Sequence, residues 1–198
     1  IDAGLREPWE FGPEVLRHAR AALAGRQRLL PYLDTLARLA HRTGAPYVRP
    51  LWWKSPGDRE LRDCGDAFLL GDALLVAPVL VPGEVRRTVR LPRGLWYDTA
   101  TGTAYRGRTQ VTLDAPLGRI PVLARAGAVL PVAGADGEAE LEVWAPRPGH
   151  TGGGVVLTGD PEGWGATRKE RFATHWADGE VVVEREDGGE VGYAVRVR

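Results

Sequence analysis

Residues 66–80 read Asp-Ala-Phe-Leu-Leu-Gly-Asp-Ala-Leu-Leu-Val-Ala-Pro-Val-Leu, two apolar runs separated by Gly71-Asp72. The runs predict short strands over residues 67–70 and 74–80 with a turn between them. Similar runs follow at close spacing, separated by turns rich in Gly and Pro, over residues 87–91, 95–98, 103–106, 110–113, 120–124 and 128–132. Short strands at this spacing are typical of an all-β sandwich.

The preceding sequence predicts two helices and then one strand. Apolar residues recur at spacings of three and four from Glu14, and again from about Arg26 to Arg42, which indicates amphipathic helices. Pro31 can lie in the opening turns of the second helix, and Gly44 suits the left-handed position that ends it. Residues 46–53 are mostly apolar and predict a strand of a buried parallel sheet.

A second, smaller β unit is predicted after residues 133–137, which are small and polar and contain no core-forming side chain. Gly152, Gly153 and Gly154 follow one another and predict a flexible turn, because glycine leaves the backbone free. The strands of this unit are predicted over residues 141–144, 155–158, 170–176, 180–186 and 193–198.

Composition excludes several classes of protein. In the 198 residues, 26 Lys and Arg balance 26 Asp and Glu, which argues against a nucleic-acid partner. No apolar run approaches the roughly 20 residues that span a bilayer, so no membrane partner is predicted. The chain starts at Ile1 and has no Met, so we expect a piece of a longer protein. The scattered, nearly all-Arg basic residues predict a GC-rich bacterial source.

The carboxylates offer one candidate for acid–base chemistry. Asp63, Asp66 and Asp72 cluster along the sequence, and two nearby acids can serve as general acid and base. Asp flanking a turn more often accepts backbone N–H bonds. Capping is therefore the favoured interpretation for Asp66 and Asp72, and also for Asp98.

No metal or cofactor is predicted. His18, His41, His150 and His175 are far apart, and none has a second ligand at helical spacing. Cys64 has no neighbouring base in the sequence that would activate it as a nucleophile.

The tryptophans leave a possible role in sugar binding, since an indole face can stack on a sugar ring. Trp52 and Trp53 end the predicted buried strand. Five more aromatic residues are spread through the β units, where most are expected to pack inside the sheets; they are Trp96, Tyr97, Trp144, Trp164 and Trp176.

Seven segments together resemble glycoside hydrolase family 31, the retaining α-glucosidases and α-xylosidases. They are Arg-Glu-Pro-Trp-Glu-Phe (6–11), Arg-Leu-Leu-Pro-Tyr-Leu-Asp-Thr-Leu (28–36), Gly-Ala-Pro-Tyr-Val-Arg-Pro-Leu-Trp (44–52), and residues 66–72, 74–79, 89–98 and 120–127. The opening residues 2–9 are most similar to the branch of glucosidase II-like neutral α-glucosidases. The resemblance covers roughly residues 2–132, and Ala67 departs from it where the family usually has Gln.

The resemblance implies a mainly β chain in three parts. Residues 1–65 would be the last helices and strand of a (β/α)8 barrel, residues 66–133 a proximal antiparallel β-sandwich, and residues 134–198 a distal one. The family's two catalytic Asp and a substrate-binding His would precede Ile1, so none of the catalytic residues is expected in this chain. Trp52 and Trp53 would lie at the rim of the substrate pocket.

The function implied is the C-terminal portion of a retaining α-glucosidase that releases terminal α-linked glucose without metal or cofactor. Its partners would be an α-glucoside oligosaccharide, reached through the barrel, and the rest of its own catalytic domain. Two alternatives remain. One is a non-catalytic carbohydrate-binding β-sandwich with an exposed tryptophan such as Trp144 or Trp164. The other is an interaction module with an apolar patch over residues 14–43.

Overall fold

The computed structural model describes residues 6–159 and 167–198. Within these residues the chain is mainly β, with three α-helices, two short 3-10 helices and fourteen strands in four sheets. The α-helices are α1 (Pro13–Arg28), α2 (Leu30–Thr43) and α3 (Arg59–Arg62). The strands, in chain order, are β1 Val48–Pro50, β2 Phe68–Leu70, β3 Leu74–Val76, β4 Arg86–Arg90, β5 Leu95–Asp98, β6 Ala104–Arg106, β7 Gln110–Asp114, β8 Val122–Arg125, β9 Val129–Ala133, β10 Ala139–Val143, β11 Gly152–Gly159, β12 Thr167–Ala177, β13 Glu180–Arg185 and β14 Ala194–Val197.

The two predicted helices are confirmed, with their junction at Leu29. Pro31 lies in the first turn of α2, where its missing N–H breaks no helical bond. Gly44 ends α2 in the left-handed conformation, with φ of 71°, and its N–H donates to the Ala40 carbonyl. No residue of α1 is buried. This helix is tied to the β region by the ion pair from Arg28 Nη2 to Glu142 Oε2 at 2.5 Å.

The proximal β-sandwich consists of a six-stranded sheet that packs on a two-stranded one. The six-stranded sheet has the order β1-β2-β3-β8-β5-β6, with every neighbouring pair antiparallel. Strands β4 and β7 form the second sheet. Leu69, Leu75 and Leu123 from the first sheet share a core with Val89 and Leu113 from the second, so the two sheets pack face to face.

The prediction of a buried parallel strand over residues 46–53 is wrong. Only Val48–Pro50 is strand, and it pairs antiparallel with β2 at the edge of the six-stranded sheet. Pro50 has no N–H to continue a ladder, and Leu51–Lys54 turns into a short 3-10 helix. The apolar run reflects the burial of single residues such as Leu51 rather than of a whole strand.

The distal β-sandwich packs the sheet β14-β10-β9 against the sheet β11-β12-β13. Its core includes Val129, Leu141 and Val143 from the first sheet, and Val156 and Phe172 from the second. The expectation of a wholly antiparallel sandwich is wrong at one pair, because β14 runs parallel to β10. The chain crosses from β13 to the opposite sheet before β14, and such a connection permits parallel pairing.

Ala133 ends β9, and residues 134–137 lie in the connection to β10, which pairs with β9 as an antiparallel hairpin. Strand β9 serves two cores, since Leu130 and Val132 pack with Tyr32 of α2 while Val129 packs in the distal core. Alternation of side chains along a strand places these residues on opposite faces. The boundary at residue 133 stays a prediction.

The three consecutive glycines do not form the predicted flexible turn. Gly152, Gly153 and Gly154 begin β11 and pair with β12. A Cβ atom at Gly152 would overlap the backbone of Gly127, and one at Gly154 would overlap the Val129 carbonyl. Glycine is needed here because two backbone segments approach closely.

Among the residues described, none of the helices has the length and apolar character needed to cross a membrane.

Candidate functional site

Trp52 and Trp53, the two residues predicted at a pocket rim, lie side by side on the surface. Both belong to the 3-10 turn after β1, which is anchored by the fully buried Leu51. Their ring centroids are 6.3 Å apart with an angle of 36° between the planes. The two residues are 36% and 37% exposed, so each presents part of an indole face to solvent.

An ion-pair network holds this turn against the β2–β3 connection. The Arg49 guanidinium lies 5.6 Å from the centre of the Trp53 ring and pairs with Asp72. Lys54 Nζ contacts the other oxygen of Asp72 at 2.6 Å. Arg49 is buried, and its Nε also donates to the Pro46 carbonyl at 2.6 Å. Asp72 therefore orients two cations beside the tryptophan pair.

A cavity of about 430 Å³ lies next to this network. It is bounded by α2, the β2–β3 turn, the β8–β9 turn and the start of β11. Arg49, Lys54 and Asp72 line it on one side, while Trp52 and Trp53 are outside its lining. The volume is within the range of small-molecule sites, but the structure does not bring the tryptophans into it.

Tyr32 of α2 also lines this cavity and fastens the helix to the sheet. Its hydroxyl donates to the Leu70 carbonyl at 2.9 Å. Burial raises the pKa of Tyr32 well above its ordinary value near 10. The phenol is therefore a neutral hydrogen-bond donor that links α2 to β2.

Replacing Tyr32 with Phe is expected to lower the free energy of unfolding by about 1–2 kcal/mol at neutral pH, because the Leu70 carbonyl loses its donor. The pH dependence should also change. Above about pH 10 the unfolded chain releases the phenol proton while the folded chain keeps it, so stability falls as pH rises. Tyr32→Phe should reduce this fall.

The measurement is the urea midpoint of both chains at several pH values from about 8 to 11. An equal decrease of the urea midpoint with rising pH in the two chains would contradict a role for Tyr32 in the pH dependence.

The other candidate acids are engaged in structural contacts. Asp66 pairs with Arg87 at 2.5 Å, and Asp98 pairs with Arg119 and accepts the Ala100 N–H at 2.9 Å. Asp98 thus caps its turn as predicted, whereas Asp66 and Asp72 bind arginines from distant strands instead. Asp63 is exposed at the end of α3.

Cys64 has the character of an unreactive thiol. Burial, and then a hydrogen bond from its Sγ to Asp66 Oδ1, raise the pKa of the Cys64 thiol. At Asp66, partial burial alone would raise the pKa of the carboxyl. Hydrogen bonds from Cys64 and Arg87 outweigh this effect and lower the pKa. A thiol that keeps its proton is a poor nucleophile.

Within residues 6–159 and 167–198, no group of three or more His, Cys, Asp or Glu side chains could hold a metal ion. His18 lies near Glu14 on α1, with 3.8 Å between Nε2 and the carboxylate, and His150 contacts the Pro148 carbonyl.

The expectation of an exposed Trp144 is wrong. Trp144 is 3% exposed, stacks on Tyr97 with ring centroids 5.8 Å apart, and donates from Nε1 to Glu142 Oε1 at 3.1 Å. It packs in the core with residues of α2 and β9. Trp164, the other suggested binding residue, lies outside the described residues.

Sequence reasoning missed Arg49, Lys54 and Tyr32 as members of the site. Arg49 and Asp72 are 23 residues apart and meet only because β1 pairs with β2. The one available signal was an arginine inside an otherwise apolar segment, since a buried charge requires a partner.

Comparison with known proteins gives consistent matches. Residues 44–130 match the glycosyl hydrolase family 31 C-terminal domain. A probable glucan 1,3-alpha-glucosidase of Oryza sativa subsp. japonica is 40% identical over 131 residues, which are 66% of this chain and 14% of the relative. Neutral alpha-glucosidase C of Mus musculus is 41% identical over 129 residues, 64% of this chain and 14% of the relative. The chain thus spans about a seventh of the length of these curated relatives.

A glycoside hydrolase family 31 dextranase of Flavobacterium johnsoniae, solved in complex with glucose, has a similar structure. The TM-score is 0.89 at 29% identity, and the match covers 99% of this chain and 27% of the dextranase. The plant and mammalian relatives give no support to the predicted bacterial source. The predicted resemblance is confirmed over residues 44–130, which match the C-terminal domain of glycoside hydrolase family 31.

Proposed function

We propose that this chain is the C-terminal portion of a retaining α-glucosidase that hydrolyses terminal α-linked glucose from oligosaccharides. The observation that carries the proposal is the match of residues 44–130 to the family's C-terminal domain. In this proposal residues 1–65 lead out of the catalytic barrel, residues 66–133 form the proximal sandwich and residues 134–198 the distal one. The catalytic Asp pair is supplied by a part of the protein that precedes Ile1.

Exposed apolar residues in the helical region support the assignment of residues 1–65 to the barrel. Helix α1 has no buried residue, although Val15 and Leu23 on it are apolar and are 40% and 58% exposed. Trp9 and Phe11 in the preceding turn are also exposed. An apolar surface of this kind usually packs against another part of a protein. A barrel whose last helices are α1 and α2 would cover it.

Among the described residues, the contacts of the candidate carboxylates argue against a catalytic pair. Retaining hydrolysis needs two carboxyl groups about 5–5.5 Å apart, one free to attack and one free to donate a proton. Asp66, Asp72 and Asp98 each bind an arginine instead. Trp52 and Trp53 are proposed as rim contacts for sugar units beyond the reacting glucose, because their exposed faces can stack on a sugar.

The test captures the natural protein from cells of its source with an antibody raised against the 198-residue chain. We expect a polypeptide much larger than 21.5 kDa that hydrolyses 4-nitrophenyl α-D-glucopyranoside. Proton NMR of the first product should show α-glucose, as retention requires. The purified 198-residue chain, assayed in parallel, should release no nitrophenol.

The 4-nitrophenyl α-xyloside serves as the control for sugar specificity. Preference for the xyloside would contradict the glucosidase assignment, and turnover by the 198-residue chain alone would contradict the absence of the catalytic pair. A captured protein of 21.5 kDa without hydrolase activity would overturn the whole proposal in favour of the carbohydrate-binding module.

A further inference from the structure

A second cleft, of about 530 Å³, lies beside α3 at the edge of the proximal sandwich. Five basic side chains line it, against two acidic ones, in a protein whose net charge is zero. We propose that this cleft binds the phosphate group of a small phosphorylated ligand, such as a sugar phosphate. The proposal does not depend on the catalytic assignment above.

The ion pairs in the cleft leave three of its guanidinium groups without a carboxylate. Arg90 forms ion pairs with both acidic side chains, with Nη2 at 3.3 Å from Asp58 and Nη1 at 2.6 Å from Glu60. Lys54 is paired with Asp72 outside the cleft. The remaining basic side chains are exposed and have no ion pair among the described residues; they are Arg59, Arg93 and Arg108.

Backbone hydrogen bonds join the two loops that carry Arg93 and Arg108. Arg108 has a left-handed backbone, with φ of 61°, a conformation that residues with a side chain rarely adopt. Its N–H donates to the Leu91 carbonyl at 2.8 Å, and the Gly107 N–H donates to the Gly94 carbonyl at 2.7 Å. The β6–β7 turn is thereby attached to the β4–β5 connection that carries Arg93.

The contact between these two turns is tight. A Cβ atom at Gly107 would overlap the Pro92 carbonyl oxygen, so only glycine allows the approach. Arg93 and Arg108 therefore sit on two loops that are held together by backbone hydrogen bonds rather than on freely moving segments. Loops that are already held together add less to the entropic cost of binding than loops that must be ordered.

The chemistry of the cleft fits a phosphate group. Guanidinium groups donate paired hydrogen bonds to phosphate oxygens, and these charge-assisted bonds are stronger than neutral ones. Three unpaired guanidinium groups also match a group that carries nearly two negative charges at neutral pH. The open shape of the cleft leaves room for the uncharged remainder of the ligand.

The experiment is calorimetric titration of the 198-residue chain with inorganic phosphate, glucose 6-phosphate and glucose at low ionic strength. We expect both phosphates to bind and to compete for one site, and glucose to give no signal. Arg108→Gly and Arg93→Gln should each weaken the binding of phosphate about fivefold or more. Arg108→Gly keeps the fold, because glycine adopts the left-handed conformation without strain.

Arg106→Gln is the matched control, since Arg106 is an exposed arginine on the adjacent strand β6 and does not line the cleft. Its affinity for phosphate should stay within about twofold of the unchanged chain. The proposal is overturned by the absence of saturable phosphate binding up to about 10 mM. It is equally overturned if Arg106→Gln weakens binding as much as Arg108→Gly, because binding would then reflect general attraction to positive charge.

Discussion

Replacing Trp144 with Ala is expected to lower the free energy of unfolding by about 3–5 kcal/mol, the range for removing a large buried aromatic side chain. Trp144 is almost fully buried, stacks on Tyr97 and supplies a hydrogen bond to Glu142. Its removal leaves a cavity where the six-stranded sheet, α2 and β9 meet. It also leaves the buried Glu142 with one donor fewer.

Trp144→Phe separates these two effects. It keeps the stacked ring but loses the indole N–H, so we expect a cost of about 1–2 kcal/mol. Trp53→Ala is the control on the surface, with an expected cost of about 1 kcal/mol or less, because the Trp53 ring is exposed and makes one cation–π contact with Arg49.

Urea denaturation followed by far-UV circular dichroism compares all three variants with the unchanged chain. A free energy of unfolding for Trp144→Ala within about 1 kcal/mol of the unchanged chain would contradict the core assignment. That result, combined with lost oligosaccharide binding, would instead favour a binding module built on Trp144.

Gly152→Ala is expected to destabilise the chain by about 3 kcal/mol, at the upper end of the range for overpacking. The added Cβ would overlap the backbone of Gly127. Gly127 cannot retreat easily, because its N–H donates to the Trp144 carbonyl at 2.7 Å and its carbonyl accepts from Thr174 Oγ1 at 3.0 Å. The substitution should therefore separate β11 from the β8–β9 turn.

Gly25→Ala is the matched control for this substitution. Gly25 is in the interior of α1 and has no atom within 4 Å of a Cβ at its position. Alanine there should stabilise the chain by about 0.5–1 kcal/mol, because it is the better helix former. Thermal unfolding by circular dichroism measures both variants, and equal midpoints for Gly152→Ala and the unchanged chain would refute the close approach at Gly127.

Local patterns were sufficient to predict most elements of this fold. The period of three and four from Glu14 to Arg42 and the alternating apolar runs from residue 67 onward correspond to α1, α2 and most strands. Hydrophobic period and turn residues act over a few neighbouring positions, so they can be read without a partner segment. The end of α2 at Gly44 is also a local effect, because glycine readily adopts the left-handed conformation that ends a helix.

The misjudged residues are those whose environment comes from distant segments. The apolar stretch around Trp144 is compatible with either a buried or an exposed side chain. Only the packing of α2 and β9 buries it. Gly152–Gly154 have the composition of a flexible turn, but the approach of Gly127 and Val129 makes them a close-packed strand. Likewise β14 is recognisable as a strand, whereas its parallel pairing with β10 depends on the path between the sheets.

Local sequence was enough to indicate the family resemblance, the helix pair and the succession of short strands, because motifs and periodicity are local properties of the chain. Which charges meet depends on the folded structure. Asp72 joins Arg49 and Lys54 beside Trp53, and Arg93 and Arg108 come together on two adjoining turns. Ion pairs and clefts depend on distances in space between residues far apart in sequence, and strand pairing fixes those distances.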